Sequence, residues 1–448
     1  MKKLKYLSFL TIVNLTLILH SPVFAQTGVD TITGPVTLKQ AVDYALRNQP
    51  AVRQASIDEQ INERDIRIGL SAWLPQVNSS GLYNYYFKGQ PQAGASGANI
   101  PSNAGSIRNL STLGVTASQV LYNNDVLLAS KASKYSREYY KDNTLSSQIN
   151  VVSDVSKAFF DVLLSQKQLD ITNEDIARLQ RSLKDATNRY QAGVSDKTDF
   201  KQATIALNNS IATRKATEES IKSKTAYLKQ IMGVGGPGTI TLAYDSSRYE
   251  QEVAIDTTQV LDVNNRIEYR LLQASKALKN LNVDYYHYGF LPSLSAVGSY
   301  NYAYFNHNFS PLYSNAYPTG YVGLTLSLPI FQGGKRLQNL SKARLQVERT
   351  DLDIANTKNS LNTEYVQALA GYKSNYTSYK LVRENVDLAK DVYKIVSLQY
   401  REGVKTYLDV IVAQSDLRTA ELNYYNALFQ LLASKIDLQK ALGTLPVQ

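Results

Sequence analysis

Only two histidines, His287 and His307, lie beyond the first 25 residues, and the chain has no cysteine. His287 sits in a tyrosine cluster at a predicted helix end and His307 in a polar loop. Neither has a second ligand at metal-binding spacing, so no metal site is expected. The lack of cysteine argues against disulfides, thiolate metal sites and a cysteine-linked lipid anchor. Serines and carboxylates are plentiful, but no motif joins a nucleophile to a base and an orienting third group. The chain is therefore expected not to be an enzyme and to need no cofactor. The acids with a suggestive placement follow two glycines. Asp199 stands six residues after Gly193, and Asp409 six after Gly403. A carboxylate there can cap a helix that starts after a turn.

The elements that place these acids are long helices. Into Gly403 runs an apolar series: Tyr365, Leu369, Tyr372, Tyr376, Tyr379, Val382, Val386, Ala389, Tyr393, Val396 and Tyr400. Its ten steps span 35 residues, or 3.5 per step. That period is a coiled-coil seam with left-handed supercoiling. A polar break with one glycine follows, then a second seam through Leu422, Tyr425, Phe429, Leu432 and Ile436. A weaker echo lies upstream. Arg189-Tyr190-Gln191-Ala192-Gly193-Val194 matches Gln399-Tyr400-Arg401-Glu402-Gly403-Val404, and Met232-Gly233 matches Leu442-Gly443, each 40 residues past its turn glycine. Trp73-Leu74-Pro75 matches Phe290-Leu291-Pro292. Constant order and spacing mark two tandem copies of one unit. We divide the chain into a secretory signal (1–25), a first repeat (26–236), a linker (237–264) and a second repeat (265–448).

The signal segment has Lys2, Lys3 and Lys5, an apolar run, and Val23-Phe24-Ala25 before the cleavage point. A retained membrane anchor is the alternative, but the run is short for one. No later segment has the ~20 apolar residues of a membrane helix. Between the helices the period changes. Leu82-Tyr83-Asn84-Tyr85-Tyr86-Phe87 is aromatic and β-prone, and residues 88–109 read as an exposed loop. Leu113, Val115 and Ala117 alternate with polar residues. In the second copy Ala296, Gly298, Tyr300, Tyr302 and Tyr304 share one face, and residues 306–319 read as a loop. Val322, Leu324, Leu326 and Leu328 then form the clearest apolar strand face, which we expect to meet lipid. Four such strands cannot close a barrel, and open edges in lipid are costly, so copies must assemble. Two water-soluble hairpins packed on helices are the alternative. Beyond the signal segment 45 basic and 38 acidic residues remain, a net charge of +7 spread along helices without a basic block, which argues against a nucleic-acid partner.

These landmarks together resemble the TolC family of outer-membrane efflux and secretion ducts. Thr37-Leu38-Lys39-Gln40-Ala41-Val42-Asp43-Tyr44-Ala45-Leu46-Arg47-Asn48-Gln49-Pro50 is similar to the family's opening helix. The paired Leu-Pro steps resemble its entries into barrel strands, and Leu328-Pro329-Ile330-Phe331-Gln332-Gly333-Gly334 resembles the exit from the last strand. Tyr400-Arg401-Glu402-Gly403-Val404-Lys405-Thr406-Tyr407-Leu408-Asp409-Val410 resembles the second periplasmic turn.

The resemblance implies an α+β membrane protein, with a long coiled-coil α-helical barrel and a transmembrane β-barrel built from four strands per chain. It implies a homotrimer in the outer membrane of a Gram-negative cell, extending into the periplasm. Its partners would be a periplasmic adaptor (membrane fusion) protein, an inner-membrane pump of the RND or ABC type, and outer-membrane lipid. The expected function is a passive exit duct of a tripartite efflux pump or type I secretion system, carrying small molecules or polypeptides. A soluble periplasmic coiled-coil adaptor or scaffold is the rival reading. By the resemblance, Thr198 and Asp199 would pair with Tyr400 and Lys405 to hold the tip shut beside the turns at Gly193 and Gly403. Lys405 stands where the family pattern has arginine, so the bidentate fork is missing. Asp409 matches an acid of the narrowest ring, while Val412 replaces a second acid. Helix capping remains the alternative role for Asp199 and Asp409.

Overall fold

The computed structural model describes residues 34–88, 107–194, 196–235, 240–243, 246–251 and 253–447. The signal segment, most of the loop expected over 88–109 and part of the Gly235-Gly236-Pro237-Gly238 break lie outside them.

The first copy opens with β1 (Pro35–Val36), α1 (Leu38–Asn48) and α2 (Pro50–Leu70). Thr37 and Gln40 form a capping box at the start of α1, and Pro50 at the first position of α2 sets the break between them. Strands β2 (Gln76–Tyr85) and β3 (Asn109–Tyr122) follow, then α3 (Asn124–Gln191) and α4 (Lys197–Met232). After β4 (Thr241–Leu242) and the short α5 (Ser246–Gln251), the second copy gives α6 (Ile267–Tyr288), β5 (Ser293–Asn306), β6 (Tyr317–Ser327), α7 (Lys335–Arg401) and α8 (Tyr407–Leu442). The repeat is close in length: α3 and α7 have 68 and 67 residues, and α4 and α8 have 36 each. At 1.5 Å per residue the long helices run roughly 100 Å.

Two boundaries differ from the sequence expectation. Strand β2 starts at Gln76, ahead of the aromatic run, because β3 supplies ladder partners down to Gln76↔Ser118. Its polar early residues carry no apolar alternation to announce a strand. Strand β6 starts at Tyr317, inside the expected loop, paired with Ala303.

The main core is a belt around the middle of the helices. Val155, Phe159 and Leu163 of α3 meet Ala41 and Ala45 of α1, Leu228 and Met232 of α4, Tyr372 and Tyr379 of α7, and Leu428 and Leu431 of α8. The 3.5-residue seam thus faces inward at Tyr372, Tyr379 and Val386. Parallel pairing of β1 with β4 clips the chain start to the linker at this level. Buried Arg266 holds the second copy together, donating to the Ala441 carbonyl at 2.7 Å and the Glu364 carboxylate at 2.8 Å.

The glycines of the repeat do two different jobs. Gly233 and Gly443 end α4 and α8 with φ of 73° and 72°. A Cβ on either would strike backbone, at 2.6 Å from the Asn48 oxygen and 2.9 Å from that of Asn265. Gly193 and Gly403 have similar φ, 71° and 78°, but open space around them. Gly193→Ala should therefore cost only the left-handed backbone term of about 1–2 kcal/mol. Gly233→Ala should lower the melting temperature further, since the helix end must also part from the α1–α2 junction. Equal losses in thermal unfolding would show that this junction yields freely.

Candidate functional site

The four longer strands pair antiparallel in the order β2-β3-β5-β6. Residues opposite one another share a face. One row is Val77, Ala117, Gly298 and Val322; two rows along on that face are Gly81, Leu113, Tyr302 and Pro318, with Ser79 and Gly320 in the row between. Val115, Tyr300, Ala296, Leu324, Leu294 and Leu326 complete the same surface. The opposite face carries Asn78, Thr116, Ser299 and Tyr321 in one row, with Thr112, Asn301, Ser295 and Thr325 along it. The register therefore puts most apolar side chains of the four strands on one side, opposite rows of Asn, Ser and Thr, although Leu82, Leu110, Val297 and Phe305 fall on the second side. Val322 is 89% exposed and Leu324 69%, and Leu328 lies exposed just past the strand. The outer strands β2 and β6 leave one ladder edge each without a partner among the described residues. No described helix is long and apolar enough to cross a membrane.

At the far end of the helices the two turns close alike. The Gly193 amide donates to the Tyr190 carbonyl and the Val194 amide to that of Arg189, both at 3.0 Å. Gly403 and Val404 donate to Tyr400 and Gln399 at 3.1 and 2.8 Å. This is a glycine C-cap of the Schellman kind. The return helices start differently. Asp196 caps α4, its carboxylate accepting from the Thr198 amide at 3.2 Å. Asp199 is thus in the first turn of α4 and not its cap. Thr406 caps α8 in a reciprocal box, with the Asp409 carboxylate accepting from the Thr406 amide at 2.9 Å. These bonds hold the Asp409 carboxyl below the usual carboxylate range, helped by Lys405 at 3.9 Å.

Between the turns, Tyr407 is buried against Ala186 of α3 and Ala203 of α4, with Leu183, Tyr400 and Ile411 around it. The Arg189 guanidinium lies over the Tyr400 ring, 4.5 Å from its centroid. Burial pushes the Tyr400 phenol above its ordinary pKa; Arg189 opposes the shift, and the charges of Asp199 and Asp185 add to it. The Tyr407 phenol is raised by burial as well. The Tyr400 hydroxyl finds no hydrogen-bond partner among the described residues, while a hydrogen bond from Ser182 partly offsets the rise at Tyr407. Of the residues expected at the tip, Asp199 and Tyr400 come near enough to interact electrostatically, and Lys405 reaches Asp409. Within the single chain, no hydrogen bond or ion pair among the described residues joins Thr198 or Asp199 to Tyr400 or Lys405. Arg189 and Tyr407 are the members that sequence reasoning passed over, although both lie in the quoted turn motifs.

Higher up, a buried polar cluster ties the two hairpins together. Asp175 of α3 accepts from Ser210 of α4 at 2.7 Å, and from Gln414 and Arg418 of α8 at 2.8 and 3.4 Å. Arg178 lies 3.6 Å from both Glu421 and Glu174. Among the described residues, no group of three His, Cys, Asp or Glu could hold a metal ion.

A family model described as "Outer membrane efflux protein" matches residues 41–234 and 265–444. The outer membrane protein TolC of Vibrio cholerae is 22% identical over 438 residues, 95% of this chain and 96% of its own. The toluene efflux pump outer membrane protein TtgF of Pseudomonas putida is 22% identical over 423 residues, 91% of this chain and 83% of its own. In structure the chain superposes on CusC with a TM-score of 0.73 at 18% identity, covering 94% of this chain and 95% of that one. The open-state MtrE channel of Neisseria gonorrhoeae gives 0.70 at 19%, covering 96% and 97%.

Proposed function

Since this chain belongs to the outer membrane efflux protein family, whose model matches most of its length, we propose that it is a passive exit duct for small molecules or polypeptides. It would act as the outer-membrane component of a tripartite efflux pump or type I secretion system. The observation that carries this reading is the sheet. Its strands of 10 to 14 residues can span a bilayer when tilted. Their register gives one mostly apolar face, which would meet lipid, and one more polar face, which would line a lumen.

Two unpaired edges make a single sheet untenable in lipid. Joining β6 of one copy to β2 of the next closes a ring, and three copies give a barrel of twelve strands. A stripe on α7 supports this assembly. Leu345, Leu352, Val366, Leu381, Leu388 and Ile395 are exposed in the single chain, on a face distinct from the buried seam. Neighbouring hairpins would cover it. A soluble adaptor would have to leave both this stripe and the apolar sheet face in water.

The turns then form the periplasmic tip, where an adaptor and an inner-membrane pump of the RND or ABC type would engage. The duct itself performs no reaction; energy comes from the partner. Thr198, Asp199, Tyr400 and Lys405 would lock the tip between neighbouring copies, and Asp409 would line its narrowest ring.

The lipid face provides the test. Leu324→Lys places a charge among apolar neighbours, at roughly 2–4 kcal/mol near the bilayer midplane. Thr325→Lys points to the polar face. Leu324→Lys should deplete the detergent-extracted oligomer of three chains from outer-membrane fractions, while Thr325→Lys leaves it near wild-type levels. The reverse order, or a monodisperse monomer needing no detergent, would overturn the proposal.

A further inference from the structure

Where the strands hand over to the helices, the chain encloses a cavity of about 370 Å³. It lies between the β3–α3, α6–β5 and β6–α7 crossovers. Two residues that line it each carry a buried donor without a partner among the described residues: Nη1 of Arg336 and Nδ2 of Asn124. The Arg336 guanidinium stacks on Phe290, 5.2 Å from the ring centroid. Guanidinium stays charged at any physiological pH, so a buried nitrogen without an acceptor is costly. Lys335 lines the same cavity. The first turn of α7 has no side-chain cap and no acid; its Lys335 amide donates to the Gln332 carbonyl at 3.1 Å, and its positive end still favours an anion. One acid faces the cavity, Asp125, together with Tyr285, Tyr286 and Tyr288. Its charge, more than burial, pushes the Tyr285 phenol upward. No ion pair joins Asp125 to Arg336 among the described residues. The cavity therefore offers separate places for a negative and a positive group.

A second hollow of about 200 Å³ adjoins the first and shares Arg336 with it. Its walls are apolar: Phe290, Pro329, Ile330, Phe331 and Leu337. Ile330 is 91% exposed and Phe331 87%. These residues continue the chain directly from Leu324, Leu326 and Leu328. A polar cavity at the foot of an apolar face is the layout of a membrane interface, where tyrosines also concentrate.

We propose that this junction binds one phospholipid with an amine headgroup, its phosphate on Arg336, Lys335 and Asn124 and its ammonium on Asp125. The acyl chain runs over Phe290, Ile330 and Phe331. A phosphate takes the guanidinium fork and the positive end of α7. An ammonium takes the carboxylate and the tyrosine faces. A purely anionic headgroup would leave Asp125 facing like charge. The inference rests on the sheet spanning the outer membrane.

The test is native mass spectrometry of the full chain, delipidated in detergent and titrated with phosphatidylethanolamine, phosphatidylglycerol or phosphatidylcholine of matched chains. Wild type should hold phosphatidylethanolamine roughly tenfold more tightly than phosphatidylcholine, the worth of one hydrogen bond to a charged group. Arg336→Gln should lose all three lipids. Asp125→Asn should keep binding but erase the preference; it decides the matter alone should Arg336→Gln fail to assemble. Equal binding of the three lipids, unchanged by Arg336→Gln, would overturn the site and leave the spanning sheet standing. So would an assembled wild type that holds no lipid, with Arg336 then met by a carboxylate of a neighbouring copy. A chain that holds no lipid and needs no detergent would overturn the spanning sheet too.

Discussion

Tyr400→Phe combined with Lys405→Ser should raise single-channel conductance in planar bilayers several-fold over wild type. The narrowest section of a duct dominates its series resistance, and on the proposed function these residues would stand at the narrow end. The single chain makes the substitutions interpretable. The Tyr400 hydroxyl is buried without a partner among the described residues, and the carboxylates of Asp199 and Asp185 lie near enough to act on it electrostatically. Lys405 is exposed and, among the described residues, pairs with Asp409 at 3.9 Å. Removing these groups therefore costs the single chain little, and an exposed ion pair is worth 0–1 kcal/mol. Across a threefold axis, small losses add. The expected signature is higher conductance with an unchanged melting temperature. Cation selectivity should persist in the double variant, because Asp409 is intact. Asp409→Ala should reduce it, since Val412 offers no second acid. It should also cost about 1 kcal/mol by opening the capping box with Thr406. An assembled double variant with wild-type conductance would remove the lock and leave Asp409 a capping role alone.

Much of this was legible from periodicity. The seam through Tyr372, Tyr379 and Val386 is buried because a 3.5-residue repeat keeps one side of a long helix against its neighbour. The paired glycines marked both hairpin turns and both helix ends. The β6 face alternates strictly, and the other strands follow it by register. Polar positions were harder. Asp199 fits a capping position by its distance from Gly193, but a second acid three residues earlier takes the cap because α4 begins at Lys197. Asp175, Arg178, Arg418 and Glu421 looked like solvated charges, since a helix surface and a three-helix contact carry the same residue types. The junction cavity is assembled from three crossovers far apart in sequence. No local pattern could announce it.

Asp175→Ala should cost the protein more stability than any other single substitution at the hairpins, about 3–5 kcal/mol for breaking a buried charge pair. Asp175 is almost wholly buried and takes hydrogen bonds from three side chains on two other helices. Its loss strands the buried amide of Gln414 where water cannot replace the acceptor, while Arg418, one-third exposed, can turn to water. Asp175→Asn keeps one oxygen and should lose less. Glu421, in the same cluster, separates the charge effect from packing. Burial raises its carboxyl pKa, Glu174 adds to the shift and Arg178 opposes it. A carboxyl raised in the folded state stabilises most when protonated, below its unfolded value of about 4.3. That contribution is lost as pH rises through the folded value. Wild type should therefore gain on Glu421→Gln as the pH falls through the weakly acidic range. The cluster also joins α3 and α4 to α8, so its loss should let the two hairpins move separately. Hydrogen exchange of the helix ends at Gly193 and Gly403 should then lose its common protection in Asp175→Ala. A melting temperature near wild type, with the two turns still exchanging together, would mean that the aromatic packing of Tyr400 and Tyr407 alone couples the hairpins.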